Sequence, residues 1–384
     1  MSGREPELDT LAPDAGIDDA ASARAPTEAA EAPDTPGIHH VSVVSGDPHG
    51  TLTFYRDVLG LRLVKQTVNH DEPAVHHLYF GDEAATPGTT FTAFPYPLDS
   101  GGRRGAGQPS ETAFAIPEGS RDYWRARLDK HGISTEADER FGEPVLTFTD
   151  RDGLDLALME SADAGKLGVD GVTVEPWDET VPEAHAIRGI HSVTLRSNSP
   201  YVTGRVLELF GFGLVGQAGD RVRYVAGADG VETDGLEADT TALAREPTPG
   251  TVVDLCAREE PWGKEGAGTG HHVAIRMPDR AALDAWYDRL VDAGLSPSRP
   301  RDRYYFESVY VREPGGVLFE LATDAPGIDR DESIDDLGSE LRLPPWLQAD
   351  EEMLREQLPP LDKPVQTDDP QIHDTDRPAA GGDR

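Results

Sequence analysis

Two pairs of adjacent histidines and one glutamate in an apolar run are the residues of this sequence best suited to bind a metal ion. The pairs are His39–His40, in GIHHVSVV, and His271–His272, in TGHHVAI, and the glutamate is Glu320, in VLFELAT. A carboxylate in an apolar strand is costly to bury unless a cation or a polar group pairs with it. Two imidazoles and one carboxylate are the ligand set of non-haem Fe(II) oxygenases, which keeps other coordination positions open.

Strand alternation selects one histidine from each pair. Neighbouring side chains of a strand point to opposite faces. The valines and isoleucines of both runs mark the apolar face, so His40 and His272 lie on the opposite, polar face. The same alternation puts His39 and His271 off the face that would carry the ligands. We therefore predict His40 and His272, together with Glu320, as the metal ligands.

A repeated unit must position these residues. Similar runs begin at residues 37 and 189, and each has a first strand, a polar turn, an amphipathic helix and three short strands. The unit recurs at roughly 38–95, 111–160, 189–256 and 270–322, which we call modules 1 to 4. Four β-α-β-β-β modules predict an α+β fold in which they pair into two cupped mixed sheets with helices outside. The concave face of each cup is a natural ligand site.

The ligand set depends on which modules pair, and the residues alone leave this open. Modules 1 and 4 together supply His40, His272 and Glu320. Modules 3 and 4 supply His272, Glu320 and Asp254 with Ser192 in the fourth position, a fuller cage that suits Lewis-acid isomerase chemistry. Modules 2 and 3 supply at most Asp254 and predict an empty cup.

Two further features are interpreted as structural. The pair His76–His77 has no equivalent in the other modules, so we interpret both as ordinary strand residues. Cys256 is the single cysteine and is expected to be a small core residue. A disulfide within the chain and a cysteine-based zinc or iron–sulfur site are therefore excluded.

The charge balance narrows the class of partner. The 384 residues include 71 acidic and 35 basic side chains, a formal net charge of −36. Such a field repels nucleic acid and anionic membranes, so neither is an expected partner. Because the acidity also runs through the modules, we interpret it as a halophilic surface suited to concentrated salt, which screens self-repulsion. The chain has no apolar run of about 18 residues and no secretory pattern at its start, which predicts a cytoplasmic protein.

The modules suggest a simple division of the chain. We predict a disordered acidic tail over 1–36, a first domain over 37–165, a linker over 166–188, a second domain over 189–325, a helical extension over 326–362 and a disordered tail over 363–384. In the extension, Trp346 could pack across the mouth of a cup.

Residues from about 37 to 345 resemble the vicinal oxygen chelate (glyoxalase/extradiol dioxygenase) superfamily. The resemblance is closest to its hydroquinone ring-cleaving dioxygenase branch. The matching stretches are GIHHVS, FYRDVLGLRLVKQTVNHDEP, HHLYFGDEAATPGTTFTAFP, EAHAIRGIHSVTL, GHHVAI and YFESVYVREPGGVLFELAT. The last is the most specific, whereas GIHHVS alone is weak.

The resemblance implies that modules 1 and 4 share the metal cup, with Fe(II), or Mn(II) as the alternative ion, held by His40, His272 and Glu320. In that branch a threonine hydroxyl usually stands where this chain has Ser42.

The resemblance also implies four further site residues. His39 and His271 would act around the substrate or behind the ligands, although the strand phase points them away. Arg303 and Tyr310 would contact the substrate.

The implied activity is oxidative cleavage of a hydroquinone- or catechol-type ring, with a small aromatic substrate and O₂ as partners; a homo-oligomer stays open. One alternative is a glyoxalase-type lyase or isomerase, which predicts a fourth protein ligand such as Asp254. Another is a non-enzymatic small-molecule binding or resistance protein, which would not need the full set of ligands.

Overall fold

The structure is a computed structural model that describes residues 34–98, 101–229 and 247–365. The two predicted disordered tails, 1–36 and 363–384, lie outside the described residues except for residues 34–36 and 363–365.

Four β-α-β-β-β modules account for most of the described chain, as the repeat predicted. Module 1 comprises β1 (Ile38–Ser45), α1 (Pro48–Leu52) with a following π-helical turn (Thr53–Val58), β2 (Arg62–Val68), β3 (His76–Gly81) and β4 (Thr90–Pro95). Module 2 comprises β5 (Gln108–Pro117), α2 (Arg121–Lys130), β6 (Glu136–Arg140), β7 (Glu143–Thr149) and β8 (Asp155–Ser161). A short ribbon of β9 (Lys166–Leu167) and β10 (Val172–Thr173) follows.

The second half repeats this order. Module 3 comprises β11 (Ile190–Arg196), α3 (Pro200–Leu209), β12 (Phe212–Ala218), β13 (Arg221–Ala226) and β14 (Val252–Cys256). Module 4 comprises β15 (Thr269–Met277), α4 (Arg280–Asp292), β16 (Arg301–Asp302), β17 (Phe306–Arg312) and β18 (Leu318–Pro326).

The modules pair across the chain into two mixed eight-stranded sheets. Sheet 1 combines modules 4 and 1 in the order β16-β17-β18-β15-β1-β4-β3-β2. Sheet 2 combines modules 3 and 2 in the order β12-β13-β14-β11-β5-β8-β7-β6. The predicted α+β class with two cupped mixed sheets is thus confirmed. Each sheet takes one module from the 37–165 segment and one from the 189–325 segment.

The apolar faces of both sheets and the module helices form the main core. In β1, Val41 and Val43 belong to this core, whereas His40 and Ser42 point to the other face. Trp124 of α2 and Trp286 of α4 are fully buried in the same core. The sheets meet there, where the rings of Phe91 and Phe114 lie 5.6 Å apart.

A glycine stands just before each histidine pair because another chain segment approaches the backbone there. A Cβ on Gly270 would lie 2.2 Å from the Pro109 carbonyl oxygen of sheet 2. Gly37 has a φ of +135°, and its Cβ would lie 2.3 Å from the Gly250 oxygen. The glycines therefore let the two sheets pack closely beside both histidine pairs.

The C-terminal segment wraps the β2 edge of sheet 1. It contains three 3₁₀ turns (Ile328–Asp331, Ile334–Asp336 and Pro345–Asp350) and α5 (Glu351–Gln357). Leu341 pairs with Gln66 of β2, and fully buried Lys65 forms ion pairs with Asp331 and Glu332. The predicted helical extension thus contains three short 3₁₀ turns and one α-helix, and it packs against the β2 edge of sheet 1.

The helices are short, and the longest that the structure describes, α4, has 13 residues. Within the described residues, none is long and apolar enough to cross a membrane.

Candidate metal centre

Three side chains from adjacent central strands of sheet 1 converge in the cup. They are His40 on β1, His272 on β15 and Glu320 on β18. The two Nε2 atoms lie 3.1 Å apart, and Glu320 Oε2 lies 3.1 Å from His40 Nε2 and 2.8 Å from His272 Nε2. Among the described residues, this is the one group of three or more His, Cys, Asp or Glu whose ligand atoms lie within 4.8 Å of one another.

The strand register explains the convergence. Ala274 of β15 pairs with His40 on one side and with Glu320 on the other, so the three form a row across the sheet. His272 lies two residues before Ala274 and points to the same face. Because Ala274 has only a methyl group, the longer side chains beside it can close over it.

The arrangement fits a divalent metal ion. Ligands at neighbouring corners of an octahedron with bonds of about 2.0–2.2 Å are about 3 Å apart, close to the separations observed here. Glu320 Oε1 is buried and has no hydrogen-bond partner among the described residues, so a further cationic partner could be accommodated. Two imidazoles and one carboxylate are the donors of non-haem iron sites.

The protonation states also suit a metal. Burial lowers the pKa of His272 to about 4, which keeps the imidazole neutral and able to coordinate. Burial alone would raise the pKa of Glu320, but its close contacts with His272 and His40 outweigh burial and hold this pKa well below its usual range. The carboxylate is therefore ionised.

Both histidine pairs lie on β-bulges, which overturns the strict alternation that pointed His39 and His271 away from the site. In the β1–β15 pairing His40 faces Ala274, Ser42 faces His272 and Val43 faces Gly270, so His39 and His271 have no opposite residue. His39 Nδ1 lies 2.9 Å from His40 Nδ1, and the equivalent atoms of His271 and His272 are 2.6 Å apart. Adjacent side chains can meet in this way only because a bulge re-aims one of them.

These contacts orient the ligands. A histidine that coordinates through Nε2 carries its proton on Nδ1, and His40 and His272 would donate that proton to Nδ1 of His39 and of His271. Burial lowers the pKa of His39 to about 3, so it is neutral and able to accept. His39 and His271 thus lie directly behind the candidate ligands.

Tyr310 and Arg303 lie beside the carboxylate. Tyr310 pairs with Glu320 across β17 and β18, and its ring centre is 5.9 Å from that of His272. Arg303 Nε donates to the Tyr310 hydroxyl at 3.2 Å, and Arg303 Nη2 donates to Asp71 at 2.8 Å. Burial and the charge of Glu320 raise the pKa of Tyr310, so its phenol stays protonated.

The structure separates the pair His76–His77, which the sequence analysis treated as structural. His76 Nε2 lies 2.8 Å from the Pro359 carbonyl oxygen of the C-terminal segment. His77 lies inside the cup, with Nε2 3.0 Å from Thr92 Oγ1, which in turn lies 2.7 Å from Ser42 Oγ. His77 is therefore a cup residue that the local pattern did not reveal; its strand phase shows it once the neighbours of β3 are known.

Asp254 is not available as a ligand, which corrects that alternative. It lies in sheet 2, and Arg223 binds both of its oxygens through Nε at 2.8 Å and Nη2 at 3.0 Å. Arg221 Nη1 donates to it as well, at 3.0 Å. Cys256, on the same strand, is partly buried, and burial raises the pKa of its thiol.

Trp346, which the sequence analysis considered for the cup mouth, lies next to the β2–β3 turn. Its ring centre is 5.4 Å from that of His70 and 6.1 Å from that of Tyr304.

Comparisons with known proteins identify the family and several relatives of the chain. The model of the glyoxalase/bleomycin resistance protein/dioxygenase superfamily matches residues 37–158 and 207–321. MhqE of Bacillus subtilis strain 168, provisionally named a ring-cleaving dioxygenase, is 39% identical over 330 residues, which cover 85% of this chain and 99% of MhqE. A chlorohydroquinone/hydroquinone 1,2-dioxygenase of Sphingobium indicum is 34% identical over 336 residues, which cover 85% of this chain and 97% of that enzyme.

Solved structures give the same result. The crystal structure of a Bacillus subtilis protein, provisionally described as a dioxygenase, has a TM-score of 0.77 at 35% identity, with 88% of this chain and 100% of that chain covered. Glyoxalase I from Zea mays has a TM-score of 0.50 at 15% identity, with 75% and 92% covered, and this likeness concerns the fold alone.

Proposed function

The chain belongs to the glyoxalase/bleomycin resistance protein/dioxygenase superfamily, and from this premise we propose that it is a non-haem iron ring-cleaving dioxygenase. Its substrate would be a hydroquinone- or catechol-type aromatic, and its metal Fe(II), with Mn(II) as the alternative ion. The ligands would be His40, His272 and Glu320.

One observation carries the proposal. Three ligand atoms of the type and spacing that suit a divalent ion converge in a buried cup, and within the described part of the chain two imidazoles and one carboxylate supply them. Relatives that align with this chain over nearly their whole length carry names of ring-cleaving dioxygenases, including one named for hydroquinone. When bound, Fe(II) would supply the redox chemistry and the open coordination positions at which a phenol oxygen and O₂ can meet.

The chain's own residues would orient the ion and the substrate. His39 and His271 would accept the Nδ1 protons of the two ligating histidines and so fix their rings. Arg303 donates to the Tyr310 oxygen and holds this hydroxyl beside Glu320, where it would form a hydrogen bond with a substrate oxygen. The positive charge of Arg303 would stabilise negative charge that develops there, since both groups are held in place before reaction.

The two alternatives are less well supported. A glyoxalase-type lyase would use a fourth protein ligand, but Asp254 is clamped by two arginines in the other sheet. A binding or resistance protein would not need two oriented imidazoles and an ionised glutamate in one buried cup.

Metal analysis and oxygen uptake test the proposal together. Protein purified without oxygen should contain about one iron per chain or take up one added Fe(II), and should then consume O₂ with hydroquinones or catechols. Tightly held zinc together with no O₂ consumption for any diphenol would overturn the proposal.

We also propose that the acidic surface is an adaptation to concentrated salt. The net charge of −36 predicts that Tm rises as KCl increases from about 0.1 M to about 2 M, because the screening length falls. A flat or falling Tm over this range would contradict the adaptation without bearing on the enzyme activity.

A further inference from the structure

His77 is a titratable residue in the cup that has no role in the proposed reaction as described so far. Its ring lies between two aromatic rings: it stacks on Phe94 at 4.1 Å and tilts against Tyr79 at 4.1 Å. Its Nε2 is held by Thr92 Oγ1, and among the described residues no hydrogen bond involves its Nδ1. The ring is thus fixed in orientation and has one nitrogen to offer.

The wall around His77 contains other polar atoms without partners. Thr67 pairs with His77 across β2 and β3, and its buried Oγ1 has no hydrogen-bond partner among the described residues. The same holds for the buried Nε2 of His70, in the turn between these strands. Unpaired buried polar groups are uncommon, and each calls for a partner such as a ligand or a water.

The two imidazoles are neutral. Burial lowers the pKa of His77 well below its ordinary value, and a proton on His70 would lower it further. Burial and the charge of Arg303 lower the pKa of His70 to about 4. Neutral imidazoles can accept a hydrogen bond from a phenol or donate one to it.

We propose that His77, with His70 and Thr67 beside it, forms a subsite for the substrate hydroxyl that is not bound to the metal. This inference rests on the proposed function and adds to it the residues that would bind the second hydroxyl of diphenols whose hydroxyls lie para to each other.

The sheet geometry favours that class. β4 separates β3 from β1, so the His77 strand lies two strand spacings, about 9–10 Å, from the strand of His40. A para-diphenol with one oxygen at the metal extends its other oxygen across the whole ring toward this wall. A catechol has its hydroxyls on adjacent carbons, so both stay at the metal end.

Anaerobic calorimetry with the metal-loaded protein tests the subsite without turnover. The variant is His77→Gln, which keeps a polar atom near the Nε2 position, where it can reach Thr92, but removes Nδ1. We expect its Kd for hydroquinone to rise about five- to tenfold, the effect of one hydrogen bond. Its Kd for phenol, which lacks the distal hydroxyl, should stay within about twofold.

The neighbouring histidine provides a matched control. His76→Gln alters the same strand but on the opposite face, where it can still reach the Pro359 oxygen, so both Kd values should stay unchanged. His77→Asn keeps a polar atom near the Nδ1 position and should recover part of the hydroquinone affinity.

The outcomes separate the two proposals. Equal losses for phenol and hydroquinone in His77→Gln, or no loss for either, would overturn the subsite while wild-type oxygen uptake with diphenols still upheld the enzyme. A wild-type protein that consumes no O₂ with any diphenol would overturn the proposed function instead.

Discussion

The two sheets have the same strand pattern but differ at the centre of the cup. In sheet 1 the central row holds a histidine, a small residue and a carboxylate: His40, Ala274 and Glu320. The equivalent row of sheet 2 is Glu111, Thr194 and Asp254. Ser192 stands where sheet 1 has His272, so sheet 2 lacks both candidate histidine ligands.

The residue opposite each carboxylate on the neighbouring strand explains why Glu320 is a candidate metal ligand and Asp254 is not. Tyr310 faces Glu320, whereas Arg223 occupies the equivalent position opposite Asp254. A tyrosine cannot neutralise the carboxylate, but an arginine binds it through two parallel hydrogen bonds. Glu111 is likewise bound by Arg140. In sheet 2, arginines neutralise the buried carboxylates. In sheet 1, Glu320 contacts two imidazoles instead of an arginine, so its carboxylate is the candidate ligand of a cation.

Removal of a ligand should have the largest effect. His40→Ala removes one of three metal donors. Loss of a residue that only hydrogen-bonds to a ligand lowers metal affinity or activity by up to about 100-fold, so loss of a ligand itself should lower both by more than that. Ser192→Ala, at the sheet 2 position that matches the other histidine ligand, His272, should change neither. Metal content and oxygen uptake measure both, and a His40→Ala protein with full iron and activity would exclude the pairing of modules 1 and 4 as the source of the site.

Removal of Asp254 should affect stability rather than metal content. Asp254→Ala leaves buried Arg223 with Glu143 as its remaining carboxylate partner, so the free energy of unfolding should fall by up to the about 3–5 kcal/mol that breaking a buried ion pair costs. Chemical denaturation measures it, with Asp220→Ala, which removes the exposed partner of Arg258, as the control with little effect. Loss of bound metal in folded Asp254→Ala would show that sheet 2 contributes to the site after all.

An arginine in place of Tyr310 should make sheet 1 resemble sheet 2. Tyr310→Arg places a permanent cation opposite Glu320, which should lower metal affinity at least about tenfold, or 1.4 kcal/mol. Tyr310→Phe should retain the metal and lose only the function of the hydroxyl. Anaerobic titration with Fe(II) or Mn(II) compares the metal affinities of the two variants. Equal affinities would show that the residue opposite Glu320 does not control metal binding.

The smallest expected effect concerns His191, which sits on the matching bulge of sheet 2. It is buried without a hydrogen-bond partner among the described residues, and burial, with the charge of Arg223, lowers its pKa to about 3. The unfolded chain takes up a proton near pH 6.5 but the folded chain does so only near pH 3, so this residue costs stability as the pH falls between these values.

His191→Leu removes this cost. The slope of unfolding free energy against pH between about 4 and 6 should become less steep by about 1.4 kcal/mol per pH unit. Denaturation curves at several pH values measure the slope, and an unchanged slope would mean that His191 is already protonated in the folded protein.

Much of the fold could be predicted from local sequence pattern. The alternation in GIHHVSVV and in VLFELAT specified strands with one polar face, and the repeat specified four modules, because strand and helix periods are properties of short segments. The convergence of His40, His272 and Glu320 followed once modules 1 and 4 were taken as partners. That choice came from resemblance and not from the residues, since pairing joins segments more than 200 positions apart.

The sequence by itself therefore determined the modules, their polar faces and the residues that could bind a metal. Only the tertiary structure decided which modules share a sheet and that bulges turn His39 and His271 toward the neighbouring histidines. It also decided that two arginines bind Asp254 and that His77 faces the cup. Each of these depends on register between strands distant in the chain. A shift of one residue in that register would turn every side chain of a strand to the other face, and local pattern does not fix it.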